Sequence, residues 1–253
     1  MRRMTLALAV GWLAIPVALA STTNGVAAIG HGALHPNGVQ STQALLHSSN
    51  WSGVADTGHT YTSVKGSWRV PTVIATSGNR FASDWVGIGG FSTGDLIQAG
   101  TSEQFAGGTT SYNAWTEILP APEVVIPSFP IHPGDRMTVS VKKGTGNQWT
   151  IVVRNATSGQ TFTKKLTYAS CLCSAEWIHE APTVSGQQAV LASTTNAVFD
   201  PGFVNGTTVI GSGGTVHRIQ LIGPTDATPS KLDTDHNGFQ VADGSAVPPP
   251  PSS

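Results

Sequence analysis

Glutamate is rare in this chain, and two of its five glutamates lie close together. They are Glu176 and Glu180, in the segment Ala-Glu-Trp-Ile-His-Glu at residues 175–180. If this segment is a β-strand, its side chains alternate between two faces, so both glutamates lie on one face. Carboxyl groups placed together in this way can act as a general acid or base in hydrolysis. A solvated polar face explains the same pattern, and the segment alone does not decide between the two interpretations.

Two short motifs match those of other hydrolases, but their surroundings do not support the same chemistry. Gly-Phe-Ser-Thr-Gly at residues 90–94 matches G-x-S-x-G, which needs a turn from a strand into a helix, and no helical pattern follows. Asp-Thr-Gly at residues 56–58 matches the aspartic proteases, which need two carboxylates that share a proton. The chain has no second Asp-Thr-Gly or Asp-Ser-Gly. This excludes a pepsin-like enzyme. A homodimer with one motif per subunit is the aspartic-protease alternative that remains. The favoured interpretation of Asp-Thr-Gly here is a turn.

Metal-binding patterns are equally incomplete. Residues 233–238 begin like a calcium loop, but Gly244 stands where that loop needs a bidentate glutamate. A polar turn is the favoured interpretation, with weak cation binding as the alternative. His31 and His35 are four residues apart but lack the glutamate of H-E-x-x-H. We therefore expect no metal and no cofactor.

Charge and cysteine content exclude further classes of protein. Charged residues make up 11% of the 253 residues, with a formal net charge of −1, whereas soluble domains average roughly 25% charged residues. Without a cationic surface, a nucleic-acid partner is not expected. The single cysteine pair, Cys171 and Cys173, is separated by one residue, so a disulfide between them is possible but would be strained. The fold must therefore depend on its hydrophobic core.

The first 20 residues have the pattern of a secretory signal peptide. Arg2 and Arg3 precede an apolar stretch that ends in Ala-Leu-Ala. The apolar stretch is shorter than a typical membrane-spanning helix. An uncleaved membrane anchor is the alternative to a signal peptide. We expect a secreted, extracellular monomer that does not bind membranes once the signal peptide is removed.

The elements that must hold any site are short strands. From about residue 50, apolar residues alternate with polar ones between turns rich in Gly, Asn and Ser, which is typical of antiparallel strands. Clear examples are Val64, Trp68 and Val70, then Met137, Val139 and Val141, then Trp149, Ile151 and Val153. We predict an all-β fold, a two-layer antiparallel β-sandwich over residues 48–243. A flexible leader or short pro-segment at 21–47 precedes it, and a disordered Pro-rich tail at 244–253 follows.

A series of motifs, taken in order, resembles the glutamic peptidases (eqolisins), which are secreted acid proteases with a Gln/Glu catalytic pair. The motifs extend over about 190 residues. They are Asn-Trp-Ser-Gly at 50–53, Trp-Val-Gly-Ile-Gly-Gly at 85–90, Leu-Ile-Gln-Ala-Gly at 96–100, Tyr-Asn-Ala-Trp-Thr-Glu at 112–117 and Ala-Glu-Trp-Ile-His-Glu at 175–180. Each motif alone is weak evidence, but their order and spacing together are specific.

The resemblance implies a catalytic role for two residues. The catalytic glutamine of the family corresponds to Gln98, and its catalytic glutamate to Glu180 rather than Glu176. It also implies two packed, curved antiparallel sheets of the concanavalin-like jelly-roll type, in agreement with the strand pattern. The residues expected to bind substrate or to support the catalytic pair are Trp85, Asn113, Trp115, Glu117 and Glu176.

These residue types suit peptide hydrolysis without a metal or a covalent intermediate. A carboxylate with a reference pKa of about 4.3 can serve as general base in mild acid and return the proton to the leaving amine. A neutral glutamine can hold the water and donate an N–H to the oxyanion. The resemblance therefore implies a pepstatin-insensitive acid endopeptidase with polypeptide substrates, in which Glu180 is the base and Gln98 the donor, and these residue types are consistent with it.

Several positions depart from the family pattern. Gly89 and Asn113 stand where many members have Asp, Leu119 where Tyr is frequent, and Pro182 where Phe is frequent. These changes leave substrate preference and optimum pH open. The alternative function is a catalytically weak sandwich that binds peptide or glycan in a tryptophan-lined cleft, because fold alone does not determine function.

Overall fold

The computed structural model describes residues 28–39, 45–74 and 77–253, and every regular element in these residues is a β-strand. The all-β prediction is thus confirmed, while the signal-peptide segment 1–20 lies outside the described residues. The strands are β1 Ile29–Gly30, β2 Pro36–Val39, β3 Leu46–Ser48, β4 Trp51–Thr57, β5 Ser63–Arg69, β6 Arg80–Gly89, β7 Leu96–Ala106, β8 Thr109–Ile118, β9 Val124–Val125, β10 Arg136–Lys143, β11 Gln148–Asn155, β12 Thr161–Thr167, β13 Ser174–Glu180, β14 Thr183–Val184, β15 Gln187–Gln188, β16 Ala197–Val204, β17 Thr208–Val209, β18 Thr215–Leu221, β19 Ala227–Pro229 and β20 Phe239–Asp243.

The strands form two facing layers. One layer has the order β12-β11-β10-β5-β16, and the other has the order β8-β7-β6-β13-β4-β18. All of these pairs are antiparallel, whereas the short β3 pairs in parallel with β18. Strands β19 and β20 connect β18 to β16 and so join the layers along one edge. This is the predicted antiparallel sandwich.

The main hydrophobic core lies between the layers. Its buried residues include Val64 and Val139 from one layer and Val86, Ile97 and Trp177 from the other. Strand β10 buries every second residue, because successive side chains of a strand point to opposite faces. The alternation in the sequence therefore predicted correctly which side chains enter this core.

A second cluster of buried side chains lies on the opposite face of the second layer. It contains Trp51, Ala55, Trp85, Leu96, Trp115, Ile178 and Ile219. Strand β13 is consequently buried on both faces, at all seven of its residues. Glu176 and Glu180 are 0% and 1% exposed, so the solvated-face interpretation of this strand is wrong.

Both flanking segments make contacts with the sandwich. Within residues 21–47, β1 pairs with β14, and β3 pairs with β18. Residues 244–253 form no strand, and the Pro249 carbonyl accepts a hydrogen bond from Gln240 Nε2 at 2.6 Å. Cys171 and Cys173 form a disulfide. No helix in the described part of the chain is long and apolar enough to cross a membrane.

Candidate active site

Strand register places the two proposed catalytic residues on one face of the second layer. Gln98 on β7 lies opposite Glu117 on β8, and Glu180 on β13 lies opposite Trp51 on β4. Directly opposed residues project to the same side of a sheet. These side chains therefore join the cluster that contains Trp85 and Trp115, at a place where polar groups are enclosed by indole rings.

Two glycines allow the backbone to approach closely around this face. Gly100 lies between Trp85 and Trp115 in the register, and a Cβ there would be 2.2 Å from the Asp84 carbonyl oxygen. Gly89 has a φ of 90°, and a Cβ there would be 2.4 Å from the Asp95 carbonyl oxygen. Glycine at residue 89, where many glutamic peptidases have Asp, is thus required by the local backbone.

The Glu180 carboxyl group is held by donors from three directions. Trp85 Nε1 donates to Glu180 Oε2 at 2.9 Å, and Asn50 Nδ2 donates to Oε1 at 3.4 Å. Nδ1 of His31 lies 3.1 Å from Oε2. The carboxyl group is therefore fixed in orientation, as a general base must be.

The Gln98 side chain is directed by Glu117. Gln98 Nε2 donates to Glu117 Oε2 at 2.8 Å and to the carbonyl oxygen of His31 at 2.8 Å. Gln98 Oε1 is buried and accepts no hydrogen bond from the described residues. The amide thus directs one N–H toward a peptide carbonyl, as an oxyanion donor would, and the other toward Glu117.

His31 lies at the centre of the site, although it belongs to the segment before the sandwich. Its ring is fully buried and stacks on Trp115, with the ring centroids 3.9 Å apart and an interplanar angle of 8°. Nε2 lies 2.8 Å from Glu123 Oε2, and the backbone N–H donates to Glu117 Oε2 at 3.0 Å. One histidine therefore contacts three glutamates, since its Nδ1 also contacts Glu180.

Burial and mutual charge shift the pKa values of these groups. Burial opposes a charge on His31, but its contacts with Glu123 and Glu180 outweigh that effect and raise its pKa to about 10. Burial raises the pKa of Glu117 to about 8, and the nearby Glu180 and Glu123 charges add to it against the opposing His31. Burial also raises the pKa of Glu180, against the contacts with His31, Trp85 and Asn50. In mild acid the site therefore combines a charged imidazolium with a neutral Glu117.

The structure brings together five of the seven residues expected at the site. These are Trp85, Gln98, Trp115, Glu117 and Glu180. Asn113 lies opposite Ser102, and Glu176 opposite Gly87. In the described part of the chain neither Asn113 Oδ1 nor the Glu176 carboxylate oxygens have a hydrogen-bond partner. Burial raises the pKa of Glu176 well above its usual range, so this carboxyl is a neutral group on the same strand face as Glu180.

Three residues at the site were missed by sequence reasoning. Asn50 was part of a recognised motif without an assigned role, and His31 was considered only as half of a zinc motif. Glu123 had no assignment, although its rarity in a chain with five glutamates was an available signal. His31 could not be found from spacing, because it lies 149 residues from Glu180.

The other short motifs have structural surroundings. Asp56 is buried at the end of β4, and its Oδ2 accepts a hydrogen bond from the backbone N–H of Gly211 at 2.8 Å. Residues 90–94 form the connection from β6 to β7, with no helix after them. No group of three or more His, Cys, Asp or Glu side chains within the described ranges is arranged to hold a metal ion.

Comparison with known proteins shows similarity in both sequence and fold. The sequence matches the model of the peptidase A4 family over residues 49–237. It is 30% identical over 213 residues to aspergillopepsin-2 of Aspergillus niger, covering 75% of this chain and 72% of that protein. The fold is similar to scytalido-glutamic peptidase with a transition state analog inhibitor, at a TM-score of 0.64 and 23% identity over 77% of this chain and 98% of that one. It is also similar to SCP-B, an eqolisin in complex with the tripeptide Ala-Ile-His, at 0.58 and 21% over the same shares.

Proposed function

Because this chain belongs to the peptidase A4 family, the glutamic peptidases, it is a hydrolase of peptide bonds, and we propose that it is a secreted acid endopeptidase. In this proposal Glu180 is the general base and acid, and Gln98 is the oxyanion donor. The substrates are polypeptides, and no metal or covalent intermediate takes part.

One observation carries the assignment of this pair. Gln98 and Glu180 contact the same peptide residue, Gln98 through the His31 carbonyl at 2.8 Å and Glu180 through the His31 ring at 3.1 Å. A substrate carbonyl in the position of the His31 carbonyl would receive the Gln98 N–H as negative charge develops on its oxygen. The Glu180 carboxylate, which contacts the side chain of that same residue, would lie near this carbonyl, where it can take a proton from water.

The proposed reaction adds one water molecule across the peptide bond. Glu180 accepts a proton as the water oxygen bonds to the carbonyl carbon, and Gln98 stabilises the resulting oxyanion. The carbon–nitrogen bond then breaks, and Glu180 returns the proton to the leaving nitrogen. Trp85 and Asn50 keep the carboxylate in position through their hydrogen bonds.

The pKa directions favour mild acid over strong acid as the working range, because Glu180 must be ionised to accept a proton and Glu117 must stay neutral. Burial raises the pKa of Glu180, and His31 opposes that rise. When a neutral peptide takes the place of His31, the opposing charge is lost, so Glu180 exchanges protons closer to neutrality than an exposed glutamate. Glu117, whose pKa is raised to about 8, then remains protonated beside Gln98 and adds no negative charge next to the developing oxyanion.

The occupied cleft supports polypeptides as substrates. Here Ala-Ile-Gly-His at residues 28–31 lies against the site, and SCP-B was solved with the peptide Ala-Ile-His. We further propose export of a monomer from which residues 1–20 have been removed. Mass spectrometry and size-exclusion chromatography of protein from the culture medium test that proposal.

Casein hydrolysis tests the proposed function. The full chain should cleave denatured casein within pH 2–7 in the presence of pepstatin. Glu180→Gln should lower the rate by about 10²–10⁴-fold, and Gln98→Ala by about 10²–10³-fold. Glu176→Gln makes the same chemical change four residues away on β13 and should keep most of the activity. Circular dichroism of each variant serves as the control for a retained fold.

The opposite outcome would support the alternative function. If no pH gives turnover, and the protein instead binds peptides or glycans measurably, the chain is a binding module. If Glu176→Gln is as inactive as Glu180→Gln, the assignment of the base is wrong.

A further inference from the structure

Charge is distributed unevenly between the two layers, although the net charge of the chain is close to zero. Strands β5, β10, β11 and β12 of the first layer contain no Asp or Glu. Their basic residues are Lys65, Arg69, Arg136, Lys142, Lys143, Arg154, Lys164 and Lys165. The acidic residues in the strands of the second layer are Asp56, Asp84, Glu103, Glu117, Glu176 and Glu180. The total charge of the sequence did not reveal this separation.

Six of the cations form an outward surface that we name the basic face. They are all exposed and are Lys65, Arg69, Arg136, Lys142, Arg154 and Lys165. Strand β10 has four outward positions, at residues 136, 138, 140 and 142. The cross-strand row through each of these positions contains at least one of the six cations. Because neighbouring strands lie about 4.8 Å apart, the charges form a continuous array.

No cation of the basic face pairs with a carboxylate in the described part of the chain, where each ion pair involves a histidine. Arg69 and Arg136 lie directly opposite each other, and like charges in such positions destabilise a sheet. Arg69 Nη1 donates to the Gly134 carbonyl at 3.3 Å, which leaves the positive charge in place. An external anion would remove the repulsion between the two arginines.

A carboxyl group beside the basic face offsets little of its charge in acid. Asp200 on β16 lines a groove together with Arg69, Arg136 and Thr138. Burial raises the pKa of Asp200, and the nearby charges of Asp233 and Asp235 add to the effect. Asp200 is therefore protonated more readily than an ordinary aspartate, whereas lysine and arginine keep their charge.

Protection of a sheet edge explains only one of the six charges. Lysine on an edge strand prevents pairing with other chains, and Lys165 lies on β12, whose partner among the described strands is β11. The other five cations lie on β5, β10 and β11, and each of these strands is paired on both sides. Edge protection therefore does not account for the basic face.

The side chains between the cations suit a sugar chain. Most of them carry hydroxyl groups, and Ser67 Oγ lies 3.0 Å from Thr138 Oγ1 in the middle of the face. Other outward hydroxyls belong to Ser140, Thr150 and Thr163. A hydroxyl group can both donate and accept hydrogen bonds, as binding to sugar hydroxyls requires. The face therefore offers cations for acidic groups and hydroxyls for the rings between them.

Other polyanions fit the basic face less well. Its strands direct no aromatic side chain outward, whereas proteins that bind single-stranded nucleic acids stack the bases on aromatic rings. Apart from Val152, the outward positions of these four strands are polar, so the face lacks the apolar side chains that enter a membrane surface. A sheet is twisted, and duplex DNA, with a persistence length of about 50 nm, is too stiff to follow it.

From these observations we propose that the basic face binds an acidic polysaccharide, a flexible sugar chain with anionic groups along its length. This goes beyond the proposed function, because the cleft with Gln98 and Glu180 lies in the other layer and stays open. A peptidase bound in this way would be held on an anionic glycan while it cleaves polypeptides.

Binding of the full chain to dextran sulfate at pH 5 tests the proposal, with uncharged dextran as the reference ligand. Dextran sulfate should bind at about 50 mM salt and be released toward about 1 M salt, because salt screens exposed charges. Uncharged dextran should not bind. The double variant Arg69→Gln/Arg136→Gln should bind at least about threefold more weakly. Further replacement of Lys65 and Arg154 by Gln should abolish binding.

A matched control separates the basic face from total charge. Arg80→Gln/Lys231→Gln removes the same two charges from β6 and from the β19–β20 connection, and it should bind like the unsubstituted chain. Circular dichroism of each variant is the control for a retained fold. Equal weakening in both double variants, or no binding by the unsubstituted chain, would overturn the basic face as a binding surface.

Two further comparisons complete the test. Duplex DNA, offered at the same concentration of anionic groups, should bind more weakly than dextran sulfate, and tighter binding of DNA would overturn the polysaccharide as the partner. Casein hydrolysis by the same preparation separates this inference from the proposed function. Hydrolysis without binding of dextran sulfate would overturn the inference alone. Binding that depends on the basic face, without hydrolysis at any pH, would contradict the peptidase function alone.

Discussion

Glu117 connects the amide of Gln98, the proposed oxyanion donor, to the rest of the site. Its Oε2 accepts hydrogen bonds from Gln98 Nε2 at 2.8 Å and from the backbone N–H of His31 at 3.0 Å. Burial raises its pKa to about 8, with a smaller contribution from Glu180 and Glu123. Because ionised Glu117 would place negative charge beside an oxyanion donor, its proton should favour the reaction.

The variant Glu117→Gln tests this role. The amide retains an acceptor oxygen for Gln98 but cannot ionise, so activity in mild acid should stay within about tenfold of the parent protein. The decline of activity as the pH rises toward 8 should move to higher pH, because the ionisation that causes it is absent. A profile of kcat/KM over pH 3–8 measures the shift, with circular dichroism to exclude unfolding. An unchanged alkaline decline would assign that decline to another group.

Local motifs identified candidate residues, but they did not identify the contacts that those residues make. Gln98 and Glu180 were identified because their motifs are local in sequence, and the structure places both against His31. His31 and Glu123 were not predicted, since the contact between them depends on how a distant segment crosses the sheet. Glu176 belongs to the same strand face as Glu180, but strand alternation alone cannot distinguish a buried neutral carboxyl from a cleft carboxyl.

Three adjacent strands determine the geometry of the cleft floor. In the register of β6, β7 and β8, Gly100 separates Trp85 from Trp115. A Cβ on Gly100 would be 2.2 Å from the Asp84 carbonyl oxygen and 2.5 Å from Trp85 Cβ. Both distances lie far inside van der Waals contact, so any side chain would separate β6 from β7.

Gly100→Ala should therefore impair stability and activity together. Forced overpacking typically costs about 1–3 kcal/mol of unfolding free energy, and a displacement of about 1 Å near the reacting groups can lower kcat by up to about 100-fold. Gly94→Ala is the matched control, because a Cβ there meets nothing within 4 Å. Thermal unfolding and casein hydrolysis are measured on both variants. Full activity in a normally stable Gly100→Ala protein would contradict the close packing of these strands.

At the level of elements, the sequence was most informative where strands are exposed on one face. The pattern of β10 and β11 identified their buried residues correctly. Strand β13, buried on both faces, shows no such alternation, and its position came from the family motif. The two-residue strand β1 could not be predicted because it is defined only by pairing with β14, more than 150 residues away.

The distribution of ionisable groups should make the whole molecule most stable in acid. Burial raises the pKa of Glu176, and burial together with the Asp84 charge raises that of Glu103. A carboxyl group with a raised native pKa binds its proton more tightly in the folded state, so its stabilising effect is lost as the pH rises above about 4.5. The pKa of His179 is also raised, because Asp84 outweighs the opposing burial. Its contribution is complete below about pH 6.5 and is lost as the pH rises through its native pKa.

Thermal unfolding between pH 3 and pH 8 tests this prediction. The Tm should be highest in acid and should fall as the pH rises. Glu176→Gln cannot ionise, so at pH 7 it should exceed the parent protein by about 3 °C or more, the shift expected for roughly 1 kcal/mol in a chain of this size. At pH 4 the two Tm values should nearly coincide. A Tm that rises from pH 4 to pH 7 would contradict the assignment of these buried carboxyl groups.

The low charge content acquires a more specific meaning in the folded molecule. With 14 acidic and 13 basic residues in 253, few exposed ion pairs are lost on acidification, and self-repulsion at low pH is limited. The composition therefore predicts tolerance of acid. The burial of particular carboxyl groups, which gives the expected change in stability its sign, required the structure.

The most direct test of the central claim compares Glu180→Gln, Gln98→Ala and the double variant. If both side chains act on one water and one carbonyl, each single change should lower kcat/KM by about 10²–10⁴-fold. The double variant should then be little worse than the poorer single variant, because groups that act as a unit are not additive. Losses that simply multiply in the double variant, or a single variant within tenfold of the parent protein, would contradict the claim that Glu180 and Gln98 form the catalytic pair.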